Sequence, residues 1–188
     1  MNRVHNILCS SGWWADRVEH ELLPWGLRDV ELGADVLEVG PGFGATTRIL
    51  ADRVPKLTAL ELNERYCERL RSALHGGVNV VHGDATQLPF EDGRFSAAVC
   101  FTMLHHIPSA KLQDRAFAEI ARVLAPGGVF AGTDSIGEGR VFKLIHVGDV
   151  LNLLDPDSLP ARLQHAGLVE PRVDRGGRSL RFHATKPG

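Results

Sequence analysis

Three glycines alternate with Pro and Phe behind an acid-bearing apolar run in Val36-Leu37-Glu38-Val39-Gly40-Pro41-Gly42-Phe43-Gly44-Ala45-Thr46-Thr47. A turn of this kind, opening into a helical pattern, brings backbone N–H groups and a helix N-terminus close to a ligand, because residues without Cβ leave room for it. Taken alone it is weak evidence, with a merely tight βα turn as the lesser reading. Glu61 changes the balance: it closes the next apolar run, 21 positions past Gly40, where an acid accepts ribose hydroxyls in nucleotide sites. Two hydroxyl donors on one carboxylate make charge-assisted bonds, stronger than neutral ones. Asp84 closes the third run, placed to accept an amino-group hydrogen or polarise a neighbouring amide. The imidazoles of His105 and His106 follow the fourth run.

These residues need elements to carry them. Asp35–Val39 reads as a strand, Ala45–Val54 as the helix after it, stopped by Pro55. Leu57–Leu60 is a second strand ending at Glu61. Glu64–Leu74 is a helix with Tyr66, Leu70, Ala73 and Leu74 on one side, behind strand two, ended by Gly76-Gly77. Val78–Val81 is a third strand, ending in Gly83-Asp84-Ala85. Phe95–Phe101 is a fourth, nearly all apolar, as in a parallel sheet covered on both faces. Ser109 caps a helix carrying Leu112, Ala116, Ile120, Val123 and Leu124. Pro126-Gly127-Gly128 breaks it, and Val129–Thr133 is a fifth strand. In the tail, Gly137–Leu154 is glycine-punctuated and holds the apolar stretch Val141–His146. Asp157 caps a short helix, Ser158–Ala166, closed by Gly167. Leu168–Asp174 and Ser179–Thr185 are strands joined by Gly176-Gly177. The series implies an α/β fold: a Rossmann-like doubly wound sheet, mostly parallel with an antiparallel C-terminal edge hairpin. Ligands then sit at the carboxyl ends of the strands, where strand order reverses.

Ahead of this series, residues 11–27 form an amphipathic helix with Trp14, Val18, Leu22 and Trp25 on one face, capped by Ser10 or Ser11. Adjacent Trp13 and Trp14 point about 100° apart and cannot both face one core. The helix reads either as packed on the core or as a lid over the ligand.

With 188 residues, 44% hydrophobic and 23% charged, the chain suits one domain with a real core. We divide it into a helical lid (1–34), a cofactor-binding core (35–135) and a substrate-side segment with the hairpin (136–188). The net charge of −2 shows no footprint for nucleic acid or an anionic membrane. No apolar run nears the roughly 20 residues of a membrane span, and the N-terminus lacks signal-peptide order. Cys9, Cys67 and Cys100 are scattered, without CxxC spacing, so neither disulfides nor a metal site is implied. A cytoplasmic monomer or homodimer is expected, with no nucleic-acid or membrane partner.

As a set, Glu38-Val39-Gly40-Pro41-Gly42-Phe43-Gly44, Leu60-Glu61-Leu62, Gly83-Asp84-Ala85 with Leu88-Pro89-Phe90 and Phe95, Leu104-His105-His106 and Arg122-Val123-Leu124-Ala125-Pro126-Gly127-Gly128 resemble class I S-adenosylmethionine-dependent methyltransferases, of the small-molecule type 11 family. The resemblance covers about residues 35–135. It implies that Gly40, Pro41, Gly42 and Gly44 approach the methionyl part of S-adenosyl-L-methionine, which leaves as S-adenosyl-L-homocysteine. Glu61 takes the ribose hydroxyls, Leu62 packs on adenine, Asp84 and Ala85 hold its amino edge, and Thr102 with Met103 lines the floor near the sulfonium. Trp14 joins this set from the covering helix. Glycine spacing of GxGxG is one residue short of the GxGxxG of nicotinamide enzymes. A negative Glu38 beside it would repel a pyrophosphate and help hold the methionyl ammonium.

The implied reaction is in-line methyl transfer to a small organic acceptor, through O or N. A base for the acceptor's proton is sought in His105 and His106, whose ordinary pKa of about 6.5 suits the role; equally, Leu-His-His reads as a turn into the next helix. His105 is the preferred base, with His5, His146, Asp134 and Trp13 as weaker candidates and His20, His75, His82, His165 and His183 as surface or framework. No Asn-Pro-Pro-Tyr, Asp-Pro-Pro-Tyr or Pro-Cys appears, so nucleobase chemistry is disfavoured, and Cys100 lies inside an apolar strand. Two alternatives stand beside this reading. One is a non-catalytic S-adenosylmethionine-binding or partner protein. The other is a nicotinamide oxidoreductase, disfavoured by the glycine spacing and the lack of a Tyr-x-x-x-Lys pair.

Overall fold

The computed structural model describes residues 11–74, 76–137 and 150–188. His5, Cys9, His75, His146 and the apolar stretch Val141–His146 lie outside the described residues. Seven strands form one sheet in the order β3-β2-β1-β4-β5-β7-β6: β1 Asp35–Val39, β2 Lys56–Glu61, β3 Asn79–His82, β4 Phe95–Phe101, β5 Leu124–Ser135, β6 Val169–Gly176 and β7 Ser179–Thr185. The first five run parallel, while β7 is antiparallel to both β5 and β6. Strand order reverses between β1 and β4, so the carboxyl ends of these two strands open the crevice.

Helices cover both faces, which is why the central strands are almost wholly apolar. On one face α4 (Ala110–Val123) and α5 (Leu159–His165) pack Ala116, Phe117, Ile120, Leu159 and Leu163 against Leu37, Val39, Cys100, Phe130 and Phe182. On the other, α2 (Ala45–Ala51) and the N-terminal helix α1 (residues 12–26) cover Val36, Leu57, Ala97, Val99 and Phe101 with Leu50 and Leu23. Between β2 and β3, α3 (Glu64–Ala73) buries Cys67 and Leu70. No helix among the described residues is long and apolar enough to cross a membrane.

Three elements differ from the sequence expectation. The helix α1 is composite: an α-helical segment Gly12–Arg17, a π-helical turn Val18–Leu22 and a final turn Leu23–Gly26. Ser11 caps it, accepting from the Trp14 N–H at 3.2 Å. The wider π turn, closed by the Leu23 N–H on the Val18 carbonyl, shifts the buried face from Trp25 to Leu23 and Gly26, which join Val18 and Leu22. Strand β5 starts at Leu124, not Val129. Pro126-Gly127-Gly128 forms an irregularity inside it, with Gly127 at φ 78°, and the backbone bonds of Gly127 and Gly128 run to Lys186 beyond β7. The cap of α5 is Ser158, not Asp157, and it makes no side-chain bond to the helix; Asp155 orders this turn, accepting from the Asp157 N–H at 3.1 Å.

Candidate cofactor and acceptor site

A cavity of about 760 Å³ opens at the carboxyl ends of β1, β2, β3 and β4. The glycine turn forms one wall. Gly40, Gly42 and Gly44 all have positive φ, at 73°, 54° and 76°, a region most side chains avoid. Each does a different job. At Gly40 a Cβ would stand 2.1 Å from the Met103 Cγ, so Met103 can lie over the turn only because the glycine is bare. A Cβ on Gly42 would meet nothing within 4 Å, so its bare face looks onto open space. Gly44 starts α2 and sits against Leu70, behind the cavity wall.

Glu61 ties the turn to β2. Its carboxylate accepts from the Gly42 N–H at 3.0 Å and the Asn63 N–H at 2.9 Å. Each oxygen keeps a further lone pair for a hydroxyl donor. Leu62 stands on the rim, 66% exposed, an apolar surface left for a ligand. Asp84 and Ala85 line the opposite side, where Asp84 accepts from the Thr86 N–H at 2.8 Å in a local turn. Thr102 follows β4 at φ 53°, unusual for a β-branched residue, and is held there by its N–H on the Thr133 carbonyl at 2.8 Å. Such strain gathers where structure serves a site.

Trp14 lines the cavity from α1 together with Val18. Trp13 is 60% exposed, so neither indole enters the core; the Arg17 guanidinium lies 5.9 Å and 5.8 Å from the two rings. Tyr66, expected behind strand two, in fact lines the cavity, 4.9 Å from Phe43.

Glu38 and His105 were expected at the ligand, and neither reaches the cavity wall. Glu38 is 1% exposed. Its Oε1 accepts a short bond from the Thr46 hydroxyl, and its Oε2 has no hydrogen-bond partner. Burial pushes this carboxyl up to about 7, with the Thr46 and Thr47 hydroxyls pulling it down and nearby Glu61 adding to the rise. The simple expectation of a permanently negative Glu38 therefore fails, because a carboxylate loses its hydration there without gaining a cation. His105 is 3% exposed, with its Nδ1 2.5 Å from the Asp134 carboxylate. Asp134, fully buried, also accepts from the backbone N–H groups of His105 at 3.2 Å and Ser135 at 2.6 Å. Of the two histidines it is His106 that lines the cavity, its ring 4.2 Å from that of His105.

What sequence reading missed is the clip that holds this loop. Gln113 on α4, fully buried, donates through Nε2 to the Leu104 carbonyl at 3.0 Å and the Asn152 carbonyl at 2.8 Å. Asn152 in turn donates from its backbone to the His105 carbonyl at 2.8 Å and from its side chain to the Ile107 carbonyl at 3.2 Å. The His106 Nδ1 lies 3.3 Å from the Val150 carbonyl oxygen. That oxygen only accepts, so a ring that bonds it does so with the proton on Nδ1, which leaves Nε2 as its basic nitrogen. A polar Gln within the apolar spacing of α4 was the one available signal.

The fold and this cavity define a class: a doubly wound α/β protein with a glycine-walled, acid-bearing cavity at the carboxyl ends of its strands. Among the described cavity-lining residues there is no Lys or Arg, whereas Glu61, Glu64 and Asp84 are present. Residues 37–132, just over half of the chain, match the family described as methyltransferase domain, and the chain belongs to the class I S-adenosylmethionine-dependent methyltransferases. Fatty-acid O-methyltransferase of Mycolicibacterium smegmatis is 40% identical over 112 residues, covering 57% of this chain and 39% of that protein. The 24-methylenesterol C-methyltransferase 2 of Arabidopsis thaliana is 29% identical over 160 residues, covering 80% of this chain and 43% of that protein. The chain thus spans about two fifths of the length of these curated relatives. A Pyrococcus horikoshii protein of known structure shares the fold, with TM-score 0.80 at 17% identity over 95% of this chain and 93% of that one. S-adenosyl-L-methionine is the family's cofactor, and the residues fit it: the bare face of Gly42, the carboxylate of Glu61 and the uncompensated Glu38 suit a cationic adenosyl compound.

Proposed function

We propose that the protein transfers a methyl group from S-adenosyl-L-methionine to a small organic acceptor through oxygen or nitrogen. The carrying observation is one continuous cavity that joins the glycine turn and Glu61 to His106. When bound, the cofactor supplies a methyl group already made electrophilic by its sulfonium. What remains for the chain is to hold, orient and deprotonate.

In this reading Gly40, Pro41 and Gly42 take the methionyl part, with Gly44 closing the turn. Glu61 accepts the ribose hydroxyls, Leu62 covers the adenine face, and Asp84 with Ala85 meets its amino edge. Thr102 and Met103 form the floor, and Trp14 closes the wall as part of a lid. His106 Nε2 accepts the acceptor's proton. The Asp134–His105 pair, buried beneath, positions the loop and does not meet the acceptor. Mycobacterial and plant relatives named for fatty acids and sterols support an apolar acceptor, which Ile107, Pro108, Leu112 and Val150 on the same wall would suit.

Calorimetric titration with S-adenosyl-L-methionine and with NAD, followed by methyl transfer to a panel of phenols, acids and amines, tests this. Tight binding of the former and transfer to an O or N acceptor are expected. Binding without transfer to any acceptor would instead favour a non-catalytic, cofactor-binding role.

A further inference from the structure

Glu38 ends in a place that no carboxylate favours when ionised. It lies on the sheet face covered by α2, and the groups that favour its ionised form are two hydroxyls, those of Thr46 and Thr47. No charged group of the described residues near it offers compensation. Glu61 on β2 adds negative charge; on the opposite face of the sheet the Cys100 thiol of β4 is itself held neutral by burial, with Asp134 and Glu38 adding to that effect. From α2, Arg48 bonds the Gly44 carbonyl; from α1, Arg17 pairs with Glu21. No Lys, Arg or His of the described residues forms an ion pair with Glu38. Yet Thr46 lines the cavity beside Gly40, Pro41 and Gly42, so a single hydroxyl separates Glu38 from whatever docks on the turn.

Resting on the cofactor reading above, we propose that Glu38 keeps its proton until a cation docks on the glycine turn and then releases it to solvent. The site thereby selects a positively charged adenosyl compound over a neutral one. In the low dielectric behind the turn, a nearby ammonium or sulfonium supplies the attraction that an ionised Glu38 otherwise lacks. A neutral ligand supplies none, and the carboxyl stays protonated. One carboxylic proton leaves and one ion pair forms, so the exchange is one proton per ligand.

The test is calorimetry between pH 5.5 and 7 in buffers of different ionisation heat, with S-adenosyl-L-methionine, S-adenosyl-L-homocysteine and methylthioadenosine, which carries neither charge. An α-amino group titrates at about 7.7–8.0, so the ligands' own ammonium stays charged in this window. S-adenosyl-L-methionine should release close to one proton at the acid end, with affinity rising up to about tenfold per pH unit, the limit for a one-proton linkage. Methylthioadenosine should bind without proton release, and Glu38→Gln should make every ligand pH-independent. Equal release by S-adenosyl-L-homocysteine assigns the ammonium as the partner of Glu38, and release by S-adenosyl-L-methionine alone assigns the sulfonium. Should the variant fail to fold, infrared difference spectra of the wild type should show a protonated carboxyl band lost on binding. Wild-type binding of S-adenosyl-L-methionine with no proton release and a flat pH profile would overturn the proposal. Failure of all three ligands to bind would overturn the cofactor reading itself.

Discussion

The two halves of the sheet's carboxyl end are built in different ways. Beyond β1, β2 and β3 the wall is made by backbone: three glycines at positive φ, one carboxylate gathering two N–H groups, one local turn at Asp84. Beyond β4 and β5 it is made by buried side chains from distant segments, with Asp134, Gln113 and Asn152 tying the loop at Leu104–Ile107. The first half is a cradle whose shape is set by residue type. The second is a frame whose shape depends on hydrogen bonds being complete, since each donor removed leaves a buried carbonyl unpaired. We infer that the first governs cofactor affinity and the second governs acceptor geometry.

Substitutions that separate these effects sharpen the contrast, and ones that mix them break it. His106→Ala should lower turnover by about 10²–10⁴-fold, the usual worth of a general base, with cofactor affinity within about twofold; unchanged turnover would leave positioning alone as the mechanism. Gly42→Val places a branched side chain in the cradle at φ 54° and should weaken S-adenosyl-L-methionine binding by roughly 100-fold or more, read by calorimetry on protein shown to be folded by circular dichroism. Glu61→Ala should cost about 1.5–3 kcal/mol of cofactor affinity, the value of a hydrogen bond to a charged group.

Smaller effects concern stability. Gln113→Leu should destabilise by about 1–3 kcal/mol in denaturant unfolding and lower turnover while leaving cofactor affinity intact. Glu38 acts with the opposite pH sense to a paired carboxylate. Its folded value of about 7 lies above the ordinary 4.5, so the folded state holds the extra proton between these values. Its contribution is fully present below about 4.5 and is lost as pH rises through 7. Wild-type stability measured against Glu38→Gln should therefore fall across that window by up to about 3 kcal/mol. A difference that stays flat or rises would place the charge elsewhere.

Legibility followed the same division. The parallel series, the hairpin and the register of Gly40, Glu61 and Asp84 were readable because each depends on residues close in sequence: an apolar run, a turn, an acid at its end. Gly42 and Gly44 announced their backbone angles by lacking a Cβ. Adjacency ranked His105 ahead of His106, whereas burial, which leaves His106 on the cavity wall, is decided by Asp134, 29 positions away. Gln113 and Asn152 carry no motif; their meaning lies only in the carbonyls they reach. The π turn in α1 was hidden because Trp14, Val18, Leu22 and Trp25 satisfy an ordinary helical period, and only packing of Gly26 against Thr133 and Phe101 shows which face turned inward. Glu38 was readable as an acid beside the turn. Its raised pKa was not, since desolvation is a property of the fold.

The central claim is that the ends of β1, β2 and β3 grip one S-adenosyl-L-methionine and aim it at the loop after β4. A crystal structure of the protein soaked with that compound tests it most directly. The ribose hydroxyls should lie on the Glu61 carboxylate, the methionyl arm along the bare face of Gly42, and the cofactor's methyl group should face the side of the cavity that carries His106. Density for the compound at any other place, with Glu61 and Gly42 untouched, would contradict the account.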